Sequence, residues 1–210
     1  MADRTFSRDE AVAGFQSAGH WFLDALRMVD DDQWDLPGLG EWTVRELVAH
    51  SVRAFRTVDQ YLDGTVRDPT PLPSAAAYFR TVLAEDDPHP HIARRARREV
   101  GELGDDPVAV ARGLAEHVNK LVDAAPETAQ VHTFVGVMPL GDYLATRIVE
   151  LVVHTLDLAV AIDVDLVVPP LPGRIAIQVL ADLVEDDFMA DLLRALTGRD
   201  GLVVGMNVLE

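Results

Sequence analysis

The feature that most constrains this chain is residues 147–162, RIVELVVHTLDLAVAI, an apolar stretch that retains four ionisable side chains. They are Arg147, Glu150, His154 and Asp157. On an α-helix, at about 100° per residue, these positions fall within a sector roughly 80° wide. A buried charge is costly unless it is paired, hydrogen-bonded or bound to a metal. The stretch therefore predicts an interior helix whose line of polar groups belongs to a functional site.

Composition limits the kind of protein to which this helix can belong. The chain has 210 residues, of which 49% are hydrophobic and 25% charged, as in an ordinary globular domain. Its net charge of −17 argues against nucleic-acid binding, because phosphate recognition rests on a basic surface. The most apolar window, residues 140–162, contains the four ionisable groups and is a poor membrane span. Cysteine is absent, which excludes disulfides and a thiolate of the chain's own. With no secretory leader pattern, this favours the cytoplasm.

Helix start signals and apolar periodicity divide the chain into helices. Signals at Ser7, Thr43 and Asp106 open helices that extend to about residues 26, 63 and 124. Residues 74–85 predict a shorter helix, 140–162 the longest one, and 173–197 one or two more. The basic run RRARR at 94–98 is interpreted as the solvated face of a short helix. The tail at 201–209 has the composition of a strand or hairpin.

Four substantial helices joined by long connections predict an all-α protein built on a four-helix bundle, with the helix at 140–162 in its centre. Strand patterning is nearly absent before Gly201. We expect residues 1–165 to form the bundle and residues 166–210 to form a short extension of mixed helical and β character.

The spacing of polar residues on two of these helices predicts a metal site. Glu150 and His154 lie one turn apart on one face, about 6 Å from each other, and a divalent ion such as zinc can bridge them. His50, in the middle of the helix that follows Thr43, is the best candidate for a third ligand. Two histidines and one carboxylate leave coordination positions open, as in catalytic sites. Binding should weaken below about pH 6, where an ordinary imidazole is protonated.

The alternative is that these groups are satisfied core residues, since a mid-helix histidine is usually ordinary and the E-x-x-x-H spacing is common by chance. The remaining histidines are interpreted as ordinary on their sequence context. They are His20, His89, His91, His117 and His132.

Two motifs in this order resemble the mycothiol-dependent maleylpyruvate isomerase family, within the DinB-like superfamily of four-helix metalloproteins. The first is GEWTVRELVAH at residues 40–50, and the second combines DYL at 142–144 with R-x-x-E-x-x-x-H-x-x-D at 147–157. The resemblance covers about residues 7–163 and implies a DinB-like four-helix bundle. By motif, it implies that His50, Glu150 and His154 bind a divalent metal, typically zinc. Longer relatives carry a mixed α/β C-terminal domain, and only a short, partly β extension corresponds to it here.

The resemblance also implies a chemistry. A metal with three protein ligands and an open position lowers the pKa of a bound thiol, and a chain without cysteine must receive that thiol from outside. In the family the donor is mycothiol. The expected function is a metal-dependent, mycothiol-dependent transferase or isomerase, in which the thiolate attacks a small electrophilic substrate.

Other roles and functions stay open at this point. Arg147 could bind a substrate carboxylate or form a salt bridge with Glu150 or Asp157. Asp157 could hold a ring N–H of His154 or serve the packing of the last turns. The protein could instead be a hydrolase that uses metal-bound water, or a non-catalytic bundle that binds a small molecule or partner. We expect a small-molecule substrate and a low-molecular-weight thiol as partners, and a monomer or homodimer.

Overall fold

A computed structural model describes residues 3–62, 64, 70–84, 99–199, 201–202 and 207–209 of the chain. Within these ranges it contains seven α-helices, two short 3-10 helices and one β-hairpin. The helices are α1 (Arg8–Leu26), α2 (Val44–Leu62), α3 (Ala75–Leu83), α4 (Pro107–Ala124), α5 (Leu140–Ala161), α6 (Pro170–Asp182) and α7 (Met189–Leu196). The 3-10 helices are Val100–Leu103 and Asp186–Phe188. The predicted all-α class is confirmed.

The predicted start signals cap the helices. Ser7 accepts a hydrogen bond at its hydroxyl from the backbone N–H of Glu10, and Asp106 caps α4 in the same manner. Thr43 and Glu46 form a reciprocal capping box: the Glu46 carboxylate accepts from the Thr43 N–H at 2.9 Å, and the Thr43 hydroxyl accepts from the Glu46 N–H at 3.2 Å. This box satisfies two free N–H groups at the start of α2 and fixes where that helix begins.

Helix α5 is the central element of the bundle. It packs against α1 and α2, and α4 packs against the same two helices from another side. Helices α3 and α6 also pack against α5. Most of its length is buried, including Tyr143, Leu144, Ile148 and Leu151. A helix surrounded in this way is apolar on nearly all faces, which explains why its polar line stands out in the sequence.

A β-hairpin lies before Gly201, in a region where the sequence shows almost no strand patterning. Strands β1 (Gln130–His132) and β2 (Val137–Pro139) pair antiparallel, with Val131 opposite Met138. The chain at residues 70–72 adds to β2, because the Leu72 N–H donates to the Val137 carbonyl at 2.8 Å and the Val137 N–H donates to the Thr70 carbonyl at 2.9 Å. Three-residue strands are too short for a period-two pattern to appear in sequence.

The C-terminal part differs in detail from its prediction. Helix α6 begins at Pro170, three residues before the predicted start at 173, and Pro170 and Pro172 lie in its first turn, where proline is tolerated. Its side chains Ile175, Ala176 and Val179 join the same core as the bundle. The division at residues 165 and 166 stays a prediction.

Some expectations fall on parts of the chain that are not described. Residues 94–98, and residues 203–206 of the tail predicted to be a strand, lie outside the described residues. Among the helices that are described, none is long and apolar enough to cross a membrane.

Candidate metal centre

Helices α2 and α5 bring the three predicted ligands together. His50 lies in the middle of α2, and its neighbours Leu47 and Ala54 on the same face are buried against the core. Glu150 and His154 lie on consecutive turns of α5, which packs against α2. All three side chains are mostly buried, with exposures between 14% and 25%. Within the described ranges, this is the one group of three histidine and acidic side chains close enough to share an ion.

The spacing of the donor atoms fits a small divalent ion. One carboxylate oxygen, Oε2 of Glu150, lies 3.5 Å from Nε2 of His50 and 3.3 Å from Nε2 of His154. Zinc bonds to nitrogen and oxygen of about 2.0–2.1 Å, arranged tetrahedrally, separate neighbouring ligand atoms by about 3.3 Å. The three donor atoms all lie within 4.8 Å of one another. Donor atoms at these separations suit zinc or a similar small divalent ion.

Asp157 fixes the orientation of His154. Its Oδ2 lies 3.0 Å from Nδ1 of the imidazole, one turn further along α5. An acceptor at Nδ1 keeps the proton on that nitrogen, so Nε2 faces Glu150 with its lone pair available once the ring is neutral. The structure thus places Asp157 where the sequence-based interpretation expected a supporting partner of the metal ligand.

Charge and burial give the three groups different protonation states. Burial would lower the pKa of His154, but hydrogen bonds to Asp157 and Glu150 outweigh it and raise this pKa to about 9. Burial also lowers the pKa of His50, and the nearby His154 adds to this shift against the opposing effect of Glu150. For Glu150, burial would raise the pKa, but hydrogen bonds from the two histidines and the charge of Arg147 hold it well below its usual value. At neutral pH the metal-free cluster is therefore a carboxylate between one protonated and one neutral imidazole.

Arg147 lies one turn before Glu150 and is almost completely buried. Its Nε donates a hydrogen bond of 3.0 Å to the hydroxyl of Thr146. Its guanidinium carbon lies 5.1 Å from the ring centroid of Tyr143 and 5.6 Å from that of Tyr78, which are cation–π distances. Its closest approach to Glu150 is 3.9 Å, from Nη2 to Oε1. The salt bridge between Arg147 and Glu150, considered above as an alternative role, is therefore long. Asp157 contacts His154 and not Arg147.

A small cavity adjoins the cluster. It has a volume of about 100 Å³. Helix α2 contributes His50, Arg53, Ala54 and Thr57, helix α3 contributes Tyr78, Phe79 and Val82, α5 contributes Arg147 and Glu150, and the hairpin contributes Phe134. Two of the three candidate ligands, His50 and Glu150, therefore line the same space as the buried arginine, where a small molecule would meet both.

Several residues of the site were not identified from the sequence. Tyr78 and Arg53 reach the cavity from separate helices, and Phe134 from the hairpin turn. Trp42, just before α2, packs its ring 4.8 Å from that of His50. The GEWTV motif contains Trp42, but nothing in the motif indicates this contact. The other residues carry no local signal, because their positions depend on long-range packing.

The other described histidines do not belong to this cluster. His117 pairs with Asp59 on the surface, with Nε2 3.0 Å from Oδ1. His20 is exposed on α1, and His132 lies on β1. His89 and His91 lie outside the described residues.

The family model described as the mycothiol maleylpyruvate isomerase N-terminal domain matches residues 15–159. The match covers more than half of the chain and includes His50, Arg147, Glu150, His154 and Asp157. No curated protein and no solved structure matches the chain. The helical fold and the extent of the match agree with the resemblance seen in the two sequence motifs, and the chain belongs to the mycothiol maleylpyruvate isomerase N-terminal domain family.

Proposed function

We propose that this protein is a divalent-metal-dependent transferase or isomerase that uses an external thiol, mycothiol, to attack a small electrophilic substrate. The observation that carries the proposal is the placement of His50, Glu150 and His154 beside a cavity that also contains the buried guanidinium of Arg147. Zinc is the proposed ion, because two imidazoles and one carboxylate at these spacings suit it. The family supplies the link to mycothiol.

Each side chain of the site has a proposed role. A divalent ion held by His50, Glu150 and His154 would lower the pKa of a coordinated thiol, so that its sulfur is available as a thiolate near neutral pH. Asp157 keeps Nε2 of His154 directed at the site. Arg147 binds an anionic group of the substrate and orients it, because a charge-assisted hydrogen bond from a buried guanidinium is strong and directional.

The reaction requires a nucleophile from outside the chain. The protein has no cysteine, so the sulfur that forms the new bond to carbon belongs to the cosubstrate. The thiol proton passes to solvent when the thiolate forms. In a transfer reaction the thiolate adds to an activated carbon–carbon double bond of the substrate, the π bond breaks to give a carbanion, and a proton from solvent completes the thioether product. In an isomerisation the carbanion rotates about the former double bond and expels the thiolate, which restores the double bond in the other geometry and regenerates the thiolate.

Calorimetry with mycothiol, followed by an assay with a panel of electrophiles, tests this proposal. Zinc-loaded protein should bind mycothiol below millimolar concentration and should convert at least one electrophile only when the thiol is present. His154→Ala should lose both properties, whereas His117→Ala, a surface histidine outside the cluster, should retain both. Absence of thiol binding at millimolar concentration would contradict the proposal. Hydrolysis of the electrophiles in the absence of thiol would instead indicate a hydrolase that uses metal-bound water.

A further inference from the structure

Two arginines are among the described residues that line the cavity, and of these two only Arg147 is without a carboxylate partner at hydrogen-bonding distance. Nη1 of Arg53 lies 2.8 Å from Oε1 of Glu99, and both side chains are largely buried. For Arg147, in the part of the chain that the structure describes, neither terminal nitrogen donates a hydrogen bond, and its nearest carboxylate oxygen is 3.9 Å away. Arg53 is therefore already neutralised, and Arg147 is the cation that a ligand would meet.

This arrangement limits the charge of the ligand. In the proposed reaction, the two negative charges of Glu150 and the thiolate balance the two positive charges of the divalent ion. The positive charge of Arg147 is then left for the substrate to balance. One carboxylate matches it. Among the described residues that line the cavity, a second carboxylate would find no further cation without a partner, or would have to displace Glu99 from Arg53, and both alternatives are costly.

Part of the cavity lining is apolar. Ala54, Phe79 and Val82 form it, together with Phe134. The side chain of Phe134 is 53% exposed, which is unusual for a phenylalanine at the edge of a cavity. An exposed aromatic ring beside a concave site is available to cover the apolar part of a ligand.

The hairpin turn holds Phe134 in position. The Thr133 hydroxyl accepts hydrogen bonds from the N–H groups of Val135 and Gly136, at 3.3 and 3.1 Å, and donates one of 2.8 Å to the Gly136 carbonyl. Strand β2 is tied in turn to the chain at residues 70–72. The turn that carries the ring is thus fixed on both sides, so its exposure results from a defined backbone.

We propose that the cavity selects a substrate with a single carboxylate and a short apolar group, and that Phe134 is a specificity-determining residue that packs against that group. The carboxylate binds Arg147, and the apolar group lies between Phe134 and the side chains of Phe79 and Val82. The proposal rests on the proposed function for its assignment of this cavity as the substrate site.

Binding of saturated acids tests the proposal without any turnover. Butanoate, succinate, acetate and butan-1-ol would be titrated by ligand-observed NMR against the full chain, both metal-free and zinc-loaded. These compounds are not electrophiles, so no thiol is needed. In the metal-free protein, butanoate should bind at least about tenfold more tightly than succinate, which buries a second charge, and than acetate, which lacks the apolar group. Succinate binding as tightly as butanoate would overturn the single-carboxylate assignment.

Two substitutions separate the roles of the two sides of the cavity. Phe134→Ala should weaken butanoate about fivefold and leave acetate unchanged, because only butanoate reaches the ring. Phe188→Ala, which removes a partly exposed ring far from the cavity lining, is the matched control and should change neither. Arg147→Gln should abolish the preference for butanoate over butan-1-ol. An equal loss for acetate and butanoate in Phe134→Ala, or no loss for either, would refute the role of Phe134.

The outcomes also distinguish this proposal from the proposed function. The order of acid affinities in the metal-free protein depends only on the side chains of the cavity. Failure to bind zinc or mycothiol would therefore remove the proposed reaction while leaving the order of affinities intact. The reverse order with intact thiol binding would remove only the substrate assignment.

Discussion

The binding of a divalent ion at this site is expected to release protons, and the pKa shifts of the three proposed ligands give the number of protons released. The pKa of metal-free His154 is raised to about 9, so at pH 7 its ring is protonated in about 99% of molecules. Coordination requires the neutral imidazole. The pKa values of His50 and Glu150 are lowered, so neither has a proton to lose at pH 7. We therefore expect the three ligands to release about one proton per ion bound, and His154 to supply it.

The same shift sets the pH dependence of metal affinity. Between pH 7 and the pKa of His154, each added pH unit should increase the affinity for zinc about tenfold, which is about 1.4 kcal/mol. If His154 had an ordinary imidazole pKa, the affinity for zinc would stop rising with pH near about pH 6.5. Because its pKa is about 9, we expect zinc binding to weaken at a higher pH than the value of about 6 expected from the sequence. The physical cause is that Asp157 and Glu150 hold the proton on His154 against its burial.

Isothermal titration calorimetry in buffers of different ionisation enthalpy measures this proton release. Asp157→Asn removes the charge but keeps an acceptor for Nδ1, so it should lower the pKa of His154 and reduce proton release at pH 7. Asp59→Asn, which alters the carboxylate beside the surface His117, is the matched control and should leave proton release unchanged. No proton release at pH 7, or an affinity that is flat between pH 7 and 8.5, would refute this reasoning.

Three further results are expected. Arg147→Gln should raise KM at least about tenfold with a smaller change in kcat, and Arg147→Lys should recover part of the loss. Steady-state kinetics with an anionic electrophile measures both constants. An unchanged KM would exclude a substrate-binding role for Arg147. Gly141→Ala should destabilise the fold by about 1–3 kcal/mol, because the new Cβ would meet the backbone carbonyl of Phe6. Gly113→Ala, in α4, has open space around it and should stabilise the fold by up to about 1 kcal/mol. Denaturant unfolding measures both changes in the free energy of unfolding. The metal-free protein should lose stability as pH rises from 6.5 to 9, because the pKa of His154 is raised to about 9. The stabilisation by its protonated ring is complete below the ordinary pKa of about 6.5 and is lost above about 9. Thermal scans should show a loss of about 3 kcal/mol, and His154→Gln should abolish this pH dependence.

The parts of the fold that depend on local sequence could be predicted. Helices α1, α2, α4 and α5 follow from caps and periodicity, since each signal acts within one or two turns. The contact between Glu150 and His154 also follows from helix geometry alone, because residues four apart share a face. The placement of His50 required more, namely the cost of leaving buried polar groups unpaired and the resemblance of the two motifs to a metalloprotein family.

The parts that depend on long-range packing could not be predicted. Tyr78 contacts Arg147 from a different helix, and Arg53 is neutralised by Glu99 from a distant segment. The hairpin that carries Phe134 is held by its pairing with residues 70–72, far away in sequence. Its strands are too short to show alternation. The start of α6 at Pro170 was missed because proline in a first turn reads in sequence like the end of the preceding helix.

The most direct test of the account is the metal content of the protein after exhaustive dialysis against a weak chelator. The central claim is that His50, Glu150 and His154 hold one divalent ion. Elemental analysis should find about one ion per wild-type chain and about one for His117→Ala, but almost none for His50→Ala or His154→Ala, each of which removes one of the three proposed ligands. Folding of each variant would be checked by circular dichroism. Retention of one ion by a folded His154→Ala protein, or a wild-type protein that binds no divalent ion, would contradict the claim.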